Sequence, residues 1–194
     1  MMESAALIAL GYFSGSIPFG VLVTRWVRGL DVRTQGSGNI GATNVARVAG
    51  KKVGVVVLVL DALKGAVPVL VAMSLVPNSP TTHAAVGLAA FLGHVFPVWL
   101  KLKGGKGVAT ALGVLVVLTP WAALAGFAVY AVIFGVWKIS SIGSLVGGIT
   151  AVIVAFGTAR YREYAFLVGA LFALMLFTHR GNIARILRHA EKRL

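Results

Sequence analysis

Long apolar segments recur along the whole chain, and they constrain its fold more than any other feature. There are seven, separated by polar or basic stretches, and they cover residues 5–27, 53–76, 83–100, 107–119, 121–137, 142–156 and 164–177. A bilayer-spanning helix needs about 20 predominantly apolar residues. Only 12% of the residues are charged and the mean hydropathy is +0.92, which excludes an ordinary water-soluble domain. The sequence therefore predicts an all-α polytopic membrane protein of about seven transmembrane helices, built as one domain over residues 1–194.

Two of the apolar segments differ from a simple straight span. Pro18 lies inside the first segment and is expected to kink or break its helix. In the same segment Gly11 and Gly15 are four residues apart, a spacing that lets a neighbouring helix approach closely. The fourth segment has only about a dozen apolar residues, against the roughly 20 that a span needs. We expect a short fourth helix whose N-terminus lies inside the membrane boundary.

Positive charge is concentrated on one side of this arrangement. Fifteen of the 18 Lys and Arg side chains lie in the polar first loop 25–52, the loop 101–107, at Lys138 and in the tail 179–194, which share one side of a seven-span protein. By the positive-inside rule that side is cytoplasmic, so the N-terminus is outside and the C-terminus inside. The tail is expected to form a short amphipathic helix on the membrane surface. This placement of charge favours anionic lipid headgroups, and not nucleic acid, as partners of the net charge of +13.

A glycine-rich stretch in the first loop has the composition of a phosphate-binding loop. Its glycines allow backbone N–H groups to converge on an anion, and its side chains add hydrogen-bond donors and a cation. The residues concerned are Gly36, Ser37, Gly38, Asn39, Gly41, Thr43, Asn44 and Arg47. The alternative is a glycine turn whose cation contacts lipid headgroups.

A second basic glycine loop, Lys101–Gly107, leads directly into the fourth apolar segment. It offers Gly104, Gly105, Lys106 and Gly107 at a helix N-terminus, where an anion is stabilised by the helix dipole. Neither loop matches the Gly-x4-Gly-Lys-[Ser/Thr] pattern of nucleotide-binding loops. Two such loops predict two anionic groups bound side by side, although each loop alone is also compatible with headgroup contacts.

A third polar cluster follows the seventh apolar segment. His179 and Asn182 are three residues apart and share a helical face, and His179 is the candidate general base or hydrogen-bond donor; a headgroup contact is the alternative. Asp61 and Lys64 form a charge pair inside the second segment that should face the protein interior. His94 is interpreted as a packing residue. No metal site is predicted, because the chain has no cysteine and its five acids are scattered.

Three stretches closely resemble the three motifs of the bacterial acyl-phosphate:glycerol-3-phosphate acyltransferase family, known as PlsY. They are Gly36–Arg47, Gly93–Pro97 together with Lys103–Thr110, and His179–Arg185. The resemblance spans essentially the whole chain. It implies a seven-span protein of the bacterial cytoplasmic (inner) membrane that uses no cofactor. Such an enzyme moves a fatty acyl group from acyl phosphate to the 1-hydroxyl of glycerol 3-phosphate, giving lysophosphatidate for phospholipid biosynthesis and releasing inorganic phosphate.

The resemblance also assigns roles to individual residues. Ser37 and Arg47 belong to the first motif, Lys106 and its glycines to the second, and His179 and Asn182 to the third. Acyl phosphate and glycerol 3-phosphate would be the substrates, membrane lipids the surroundings, and the enzyme that supplies acyl phosphate a functional partner. The chain departs from the family pattern at residue 189, where histidine stands in place of a glycine two residues before the acid Glu191.

These residues suggest direct acyl transfer without an acyl-enzyme intermediate. Phosphate is a good leaving group once Arg47 or Lys106 neutralises it, and Ser37 would hydrogen-bond substrate, since the sequence shows no base beside it. Either His179 or a substrate phosphate oxygen would take the proton. The competing interpretations are a membrane carrier of small phosphorylated anions, which would also use basic glycine loops and broken helices, and a lipid-phosphate-binding scaffold.

Overall fold

The protein is predominantly helical over residues 2–194, the part of the chain that its computed structural model describes. Ten α-helices and two short 3-10 turns, at Val32–Thr34 and Val98–Leu100, account for its regular structure, and no strand occurs in that range. The helices are α1 (Met2–Ser16), α2 (Phe19–Arg28), α3 (Ala42–Ala49), α4 (Lys51–Leu75), α5 (Pro80–Val95), α6 (Val108–Leu118), α7 (Pro120–Trp137), α8 (Ser140–Thr158), α9 (Arg162–Thr178) and α10 (Arg180–Leu187). The predicted all-α fold is confirmed.

Five stretches are long and apolar enough to cross a membrane: 2–28, 51–75, 80–100, 120–137 and 140–158. The helices α9 and α10 form a sixth candidate that is bent by 62°. The remaining predicted segment is α6, whose eleven residues make it about 16 Å long. Every predicted apolar segment therefore coincides with a helix, and the fourth is short as expected.

The chain divides into two compact units, one ending at Val114 and the other running from Leu115 to Leu194. In the first unit α1 packs closely on α5, because glycines bring the two backbones together. A Cβ atom on Gly15 would lie 2.0 Å from Ala90 O, and one on Gly93 would lie 2.2 Å from Tyr12 O. Gly11 meets the backbone of Val86 in the same way. The predicted use of small residues in the first segment is confirmed. The break at Pro18 is confirmed as well, because α1 ends at Ser16 and α2 begins at Phe19, directly after the proline.

The polar stretch 25–52 is not a single loop, contrary to the prediction. It contains a 3-10 turn and the helix α3, which follows the glycine-rich stretch directly. Val45 and Ala49 of α3 are buried in an apolar cluster that also contains Val32 and Ile40 of the same stretch. The high density of cations obscured this apolar face, since it consists of only a few small side chains. The first candidate loop is therefore anchored to a buried apolar cluster.

The second unit contains α7, α8 and α9, followed by α10 and the tail. Gly126 and Gly147 bring α7 and α8 together, since a Cβ atom on Gly147 would lie 2.4 Å from Gly126 O. The short helix α10 confirms the predicted C-terminal helix. The tail then returns to the α7–α8 turn, where Leu194 N–H donates to Lys138 O over 2.9 Å.

Candidate active site

The first glycine loop, defined here as residues 35–41, is shaped by one buried side chain of α3. Asn44 Nδ2 donates to three backbone carbonyls, those of Val32 (3.2 Å), Gln35 (3.1 Å) and Asn39 (2.9 Å). Its Oδ1 accepts from Ser37 N–H over 2.8 Å. Because these contacts occupy the amide group, Asn44 organises the loop and is not itself positioned as a phosphate donor.

Two glycines of this loop are required by backbone conformation. Gly36 and Gly38 have φ angles of +62° and +72°, the left-handed region in which other residues are strained. A Cβ atom on Gly36 would also lie 2.3 Å from Asn44 Oδ1. Asn39 Oδ1 accepts from Gly41 N–H over 2.8 Å, a local turn that leads into α3. The loop is therefore fixed before any ligand binds.

The remaining predicted residues of the first motif surround the start of α3. Gly41 caps this helix without a side-chain hydrogen bond, and Thr43 lies in the first turn, where backbone N–H groups lack helical partners. Arg47 lies in the last turn of this eight-residue helix, and its Nη1 reaches back to within 3.5 Å of Asn44 Oδ1. The Ser37 side chain is exposed. A helix N-terminus, a hydroxyl and a guanidinium are thus held close together.

The second glycine loop, residues 101–107, is held by main-chain hydrogen bonds to the end of α5. Gly104 N–H donates to Val95 O (3.0 Å) and Gly105 N–H donates to His94 O (3.1 Å). These two N–H groups are therefore occupied, and their predicted use as phosphate donors is not supported by the geometry. Both positions require glycine because there is no room for a side chain. An added Cβ atom would lie 2.1 Å from His94 O at Gly104 and 2.2 Å from His94 Nε2 at Gly105.

Gly107 and Lys106 stand at the start of α6. Gly107 has a φ angle of +82° and packs against the Phe91 ring, which would lie 2.1 Å from an added Cβ atom. Lys106 is half-buried and immediately precedes this turn. A cation therefore lies next to a helix N-terminus, the arrangement that the sequence predicted for anion binding.

Both loops line one cleft of about 480 Å³ in the first unit. Gly38 of the first loop and Gly104 of the second both line it, so the structure brings the two loops together. The side chains of Ser37, Arg47 and Lys106 are not part of this lining. Three cations also line it, Arg33, Lys101 and Lys103, and sequence reasoning counted these only as loop charges. The sequence feature that could have identified these cations is their position in or directly beside a glycine loop.

Asp31 lies beside the cleft and orients Arg33. Arg33 Nη2 is 2.6 Å from Asp31 Oδ2, and Arg25 Nη2 lies 3.4 Å from the same oxygen. The hydrogen bond from the Arg33 side chain is the largest cause that lowers the pKa of Asp31 to about 2. The carboxylate is thus ionised throughout the physiological range, and two guanidinium groups share its charge.

A buried charged cluster lies beneath the second loop. Lys64 Nζ is 2.8 Å from Asp61 Oδ1, and His94 Nδ1 is 3.7 Å from the same oxygen. The three residues are 4, 1 and 3% exposed. The predicted inward orientation of the Asp61–Lys64 pair is confirmed, and His94 is buried as a packing residue should be.

The third motif lies in the second unit, at the bend between α9 and α10. His179 is 1% exposed, and its Nδ1 lies 2.9 Å from Met175 O. A carbonyl oxygen only accepts hydrogen bonds, so Nδ1 carries the proton and the lone pair of the neutral ring is on Nε2. This tautomer is the one that a general base acting through Nε2 requires.

Asn182 is held by Glu191, the acid that the family pattern pointed to but that sequence reasoning did not count among the site residues. The carboxylate of Glu191 accepts from Asn182 Nδ2, from Ser141 Oγ (3.0 Å) and from Arg185 Nε (2.7 Å). Burial raises the pKa of Glu191, but these three hydrogen bonds and the positive charge of Arg185 together outweigh burial, so its pKa is lowered overall. Asn182 therefore presents its side chain in one fixed orientation.

The departure at residue 189 preserves the local conformation expected of glycine. His189 has a φ angle of +53°, and the chain turns there so that Ala190 N–H donates to Arg185 O over 2.8 Å. This is the usual way to end a helix with a left-handed residue, a position where glycine is favoured. Glu191 reaches Asn182 despite the substitution.

In residues 2–194 no cluster of three His, Cys, Asp or Glu side chains is arranged to hold a metal ion.

Comparison with known proteins supports the interpretation of these motifs. The sequence model of the family described as "Glycerol-3-phosphate acyltransferase" matches residues 5–189. A glycerol-3-phosphate acyltransferase of Myxococcus xanthus (strain DK1622) is 66% identical over 190 residues, which are 98% of this chain and 99% of that protein. One from Anaeromyxobacter dehalogenans (strain 2CP-C) is 64% identical over 121 residues, which are 61% of this chain and 60% of that protein.

Two crystal structures share the fold. Both are of PlsY (YgiH), an integral membrane glycerol 3-phosphate acyltransferase, one in its glycerol 3-phosphate form and one in its lysophosphatidic acid form. Their TM-scores are 0.94 and 0.92, each is 40% identical to this chain, and the alignments cover 99% of this chain and 96% and 95% of theirs. The resemblance inferred from the three motifs is thereby confirmed, and the chain belongs to the glycerol-3-phosphate acyltransferase family.

Proposed function

We propose that this protein transfers a fatty acyl group from acyl phosphate to the 1-hydroxyl of glycerol 3-phosphate, which yields lysophosphatidate and inorganic phosphate. The observation that carries the proposal is the cleft of about 480 Å³ lined by both basic glycine loops. The two substrates each have one phosphate, and the two loops offer two places for them. Family membership favours this enzyme over a carrier of phosphorylated anions, and related PlsY structures are described in glycerol 3-phosphate and lysophosphatidic acid forms.

The reaction exchanges one carbon–oxygen bond for another. The hydroxyl oxygen of glycerol 3-phosphate attacks the acyl carbonyl carbon, the bond from that carbon to the phosphate oxygen breaks, and phosphate leaves. Arg47 and Lys106 are the residues we assign to neutralising the phosphates. Lys106 stands two residues before the start of α6, where the helix N-terminus adds to the stabilisation of negative charge. Arg47 lies in the last turn of α3, and its guanidinium reaches back toward Asn44 Oδ1 and the first loop.

The hydroxyl proton goes either to His179 or to an oxygen of a substrate phosphate. The Nδ1 contact with Met175 O supports His179, because it leaves Nε2 as the acceptor. If His179 is the base, His179→Gln should lower kcat by about 100-fold or more. A variant with nearly full turnover would instead assign the proton to the phosphate.

Ser37 and Asn182 are assigned to hydrogen bonding with substrate, and no acyl-enzyme is formed. The support for direct transfer is the exposed position of Ser37 on its loop, where the residues 2–194 give its hydroxyl no hydrogen bond to a base. Serine hydroxyls act as nucleophiles when a neighbouring base activates them. Rapid quenching of the enzyme with radiolabelled acyl phosphate is the test, and label retained on Ser37 would overturn direct transfer.

The donor is tested by incubating purified protein and glycerol 3-phosphate with either palmitoyl phosphate or palmitoyl-CoA. We expect lysophosphatidate from the acyl phosphate alone. Product from acyl-CoA only would reject the proposed donor, and no product from either would reject the proposed activity.

We further propose that the protein resides in the bacterial cytoplasmic membrane with its N-terminus outside and its active site at the cytoplasmic face. The concentration of Lys and Arg beside the glycine loops and in the tail supports this orientation. The acyl tail of the donor would then remain in the bilayer, and the enzyme that makes acyl phosphate would deliver it there. Cysteines introduced singly into this cysteine-free chain, at exposed Leu102 or exposed Arg160, test the orientation through labelling of intact cells.

A further inference from the structure

The buried cluster of Asp61, Lys64 and His94 has no part in the chemistry proposed above. Placing ionisable groups inside a membrane bundle is unfavourable unless they are paired, and such groups are commonly functional. Asp61 Oδ1 and His94 Nδ1 also lack a well-directed hydrogen bond within residues 2–194, so the cluster is not an optimised ion pair. Its contacts with the surrounding backbone indicate another use.

On one side the cluster supports the break in the first span. Lys64 Nζ donates to Ile17 O over 2.7 Å, directly after the end of α1. The carbonyls at a helix C-terminus lack helical partners, and a cation there also complements the helix dipole. Ser14 Oγ donates back to Lys64 O over 3.0 Å. Beyond the break, Gly20 of α2 packs directly on the first glycine loop, since an added Cβ atom would lie 1.7 Å from Ile40 O.

On the other side the cluster contacts the second glycine loop. The His94 ring, whose Nδ1 faces Asp61, turns its opposite edge toward Gly105, where an added Cβ atom would lie 2.2 Å from Nε2. His94 O also accepts from Gly105 N–H over 3.1 Å. The loop backbone at Gly105 therefore packs directly against the imidazole ring of His94.

We infer that Asp61, Lys64 and His94 are positioning residues that hold the second glycine loop in a fixed place relative to the broken first span. Since α2 carries the first loop, the cluster sets the separation of the two phosphate-binding loops. The inference rests on the proposed acyltransferase activity. A purely structural ion pair would stabilise the bundle without affecting the loops or the binding of substrate.

The first experiment adds a methyl group at Gly105 and then removes the His94 ring to make room for it. Gly105→Ala alone places a methyl group where the ring stands, and we expect the KM for at least one phosphate-bearing substrate to rise roughly tenfold while kcat changes by less than about twofold. Adding His94→Ala makes room for that methyl group. The double variant should recover most of the lost substrate affinity.

Gly104→Ala provides the matched control. Its Cβ atom would meet His94 O and Val95 O, which are backbone atoms that His94→Ala does not remove. The combination of His94→Ala with Gly104→Ala should therefore show no recovery. Equal recovery with both glycine variants, or none with either, would overturn the inference.

Hydrogen exchange supplies a readout that does not depend on turnover. In His94→Ala the amides of residues 101–107 should exchange faster, while those of α7 and α8 keep their protection. If Gly105→Ala fails to fold, recovery is scored from folded yield and exchange in the double variant. Wild-type protein without activity would reject the proposed function, whereas active wild type with unchanged loop exchange in His94→Ala would reject only this inference.

A second experiment removes the charges together, so that neither is left alone in the bundle. Asp61→Asn combined with Lys64→Met should fold, yet show faster exchange of the 101–107 amides and a raised KM. Lys64→Met alone should be the more damaging change, because Asp61 then loses its counter-charge. A double variant with wild-type exchange and KM would reduce the pair to a stabilising element and overturn its positioning role.

Discussion

The two glycine loops look alike in sequence but are built in different ways. The first is organised by a side chain, Asn44, and Gly36 and Gly38 are needed for left-handed backbone conformations. The second is organised by main-chain hydrogen bonds to α5, and Gly104 and Gly105 are needed because a side chain would overlap neighbouring atoms. Glycine therefore serves conformation at Gly38 and space at Gly104, and these two positions separate the two requirements. The same substitution should have different effects in the two.

Removal of the Asn44 side chain should produce the largest effect. Asn44→Ala removes the donor to Asn39 O and the acceptor of Ser37 N–H, and it takes one hydrogen bond each from Val32 O and Gln35 O, which keep a backbone donor. An unpaired buried group costs about 1–3 kcal/mol, so a loss of roughly 3 kcal/mol is expected. The measurement is the thermal unfolding midpoint in detergent. Asn39→Ala, which removes one hydrogen bond to Gly41, is the control and should lose about 1 kcal/mol. Equal shifts would show that Asn44 does not organise the loop.

An asparagine scan of one glycine from each loop should separate conformation from space. Asparagine adopts the left-handed region more readily than most residues. At Gly38, where the nearest atom to an added Cβ is 3.2 Å away, Gly38→Asn should cost about 1 kcal/mol or less. Gly104→Asn meets His94 O and should cost about 1–3 kcal/mol. Unfolding midpoints that rank the two variants in the opposite order would refute the distinction.

The third motif differs from both loops because a carboxylate orders it, and this makes its stability depend on pH. The pKa of Glu191 is lowered from its ordinary value of 4.5 in the folded protein. Its contribution is therefore complete above about pH 4.5 and is lost as the pH falls through the lower folded value. Glu191→Gln keeps an acceptor but removes the charge facing Arg185, so we expect a loss of about 1 kcal/mol at pH 7. The unfolding midpoints of the wild type and of Glu191→Gln, measured from pH 3 to 7, should converge at the acidic end. A difference that stays constant with pH would show that the Glu191 charge is not its cause.

The smallest effect is expected at His189. Glycine relieves a left-handed conformation that costs about 1 kcal/mol or somewhat more, but it also increases the entropy of the unfolded chain by a similar amount in free energy. His189→Gly should therefore shift stability by less than about 1 kcal/mol. A loss of activity or a large shift in the unfolding midpoint would mean that the imidazole itself has contacts that matter to the site.

The fold was predictable because long apolar segments leave a bundle few alternatives, and the helix ends fell within a few residues of the predicted spans. The helix α3 was missed, since its apolar face is formed by few residues among many cations. The motif residues were found through their composition, but composition does not distinguish Asn44, whose amide is used inside the loop, from Ser37, whose side chain is exposed. Contacts between distant segments, such as Glu191 with Asn182 or Gly105 with His94, leave no periodic signal in the sequence.

The hydrogen bond from Lys64 to Ile17 O also bears on how the first two spans enter the membrane. During synthesis α1 emerges first, and Ile17 O, just beyond its end, then accepts only the N–H of Phe19 (3.1 Å), so half of its acceptor capacity is unused in lipid. The second span arrives with Asp61 one turn before Lys64, so it brings its own counter-charge and can insert as a neutral pair. Lys64 then supplies the second hydrogen bond to Ile17 O. We therefore expect the broken first span, α1 and α2, to become stable in the bilayer only together with the second span, α4.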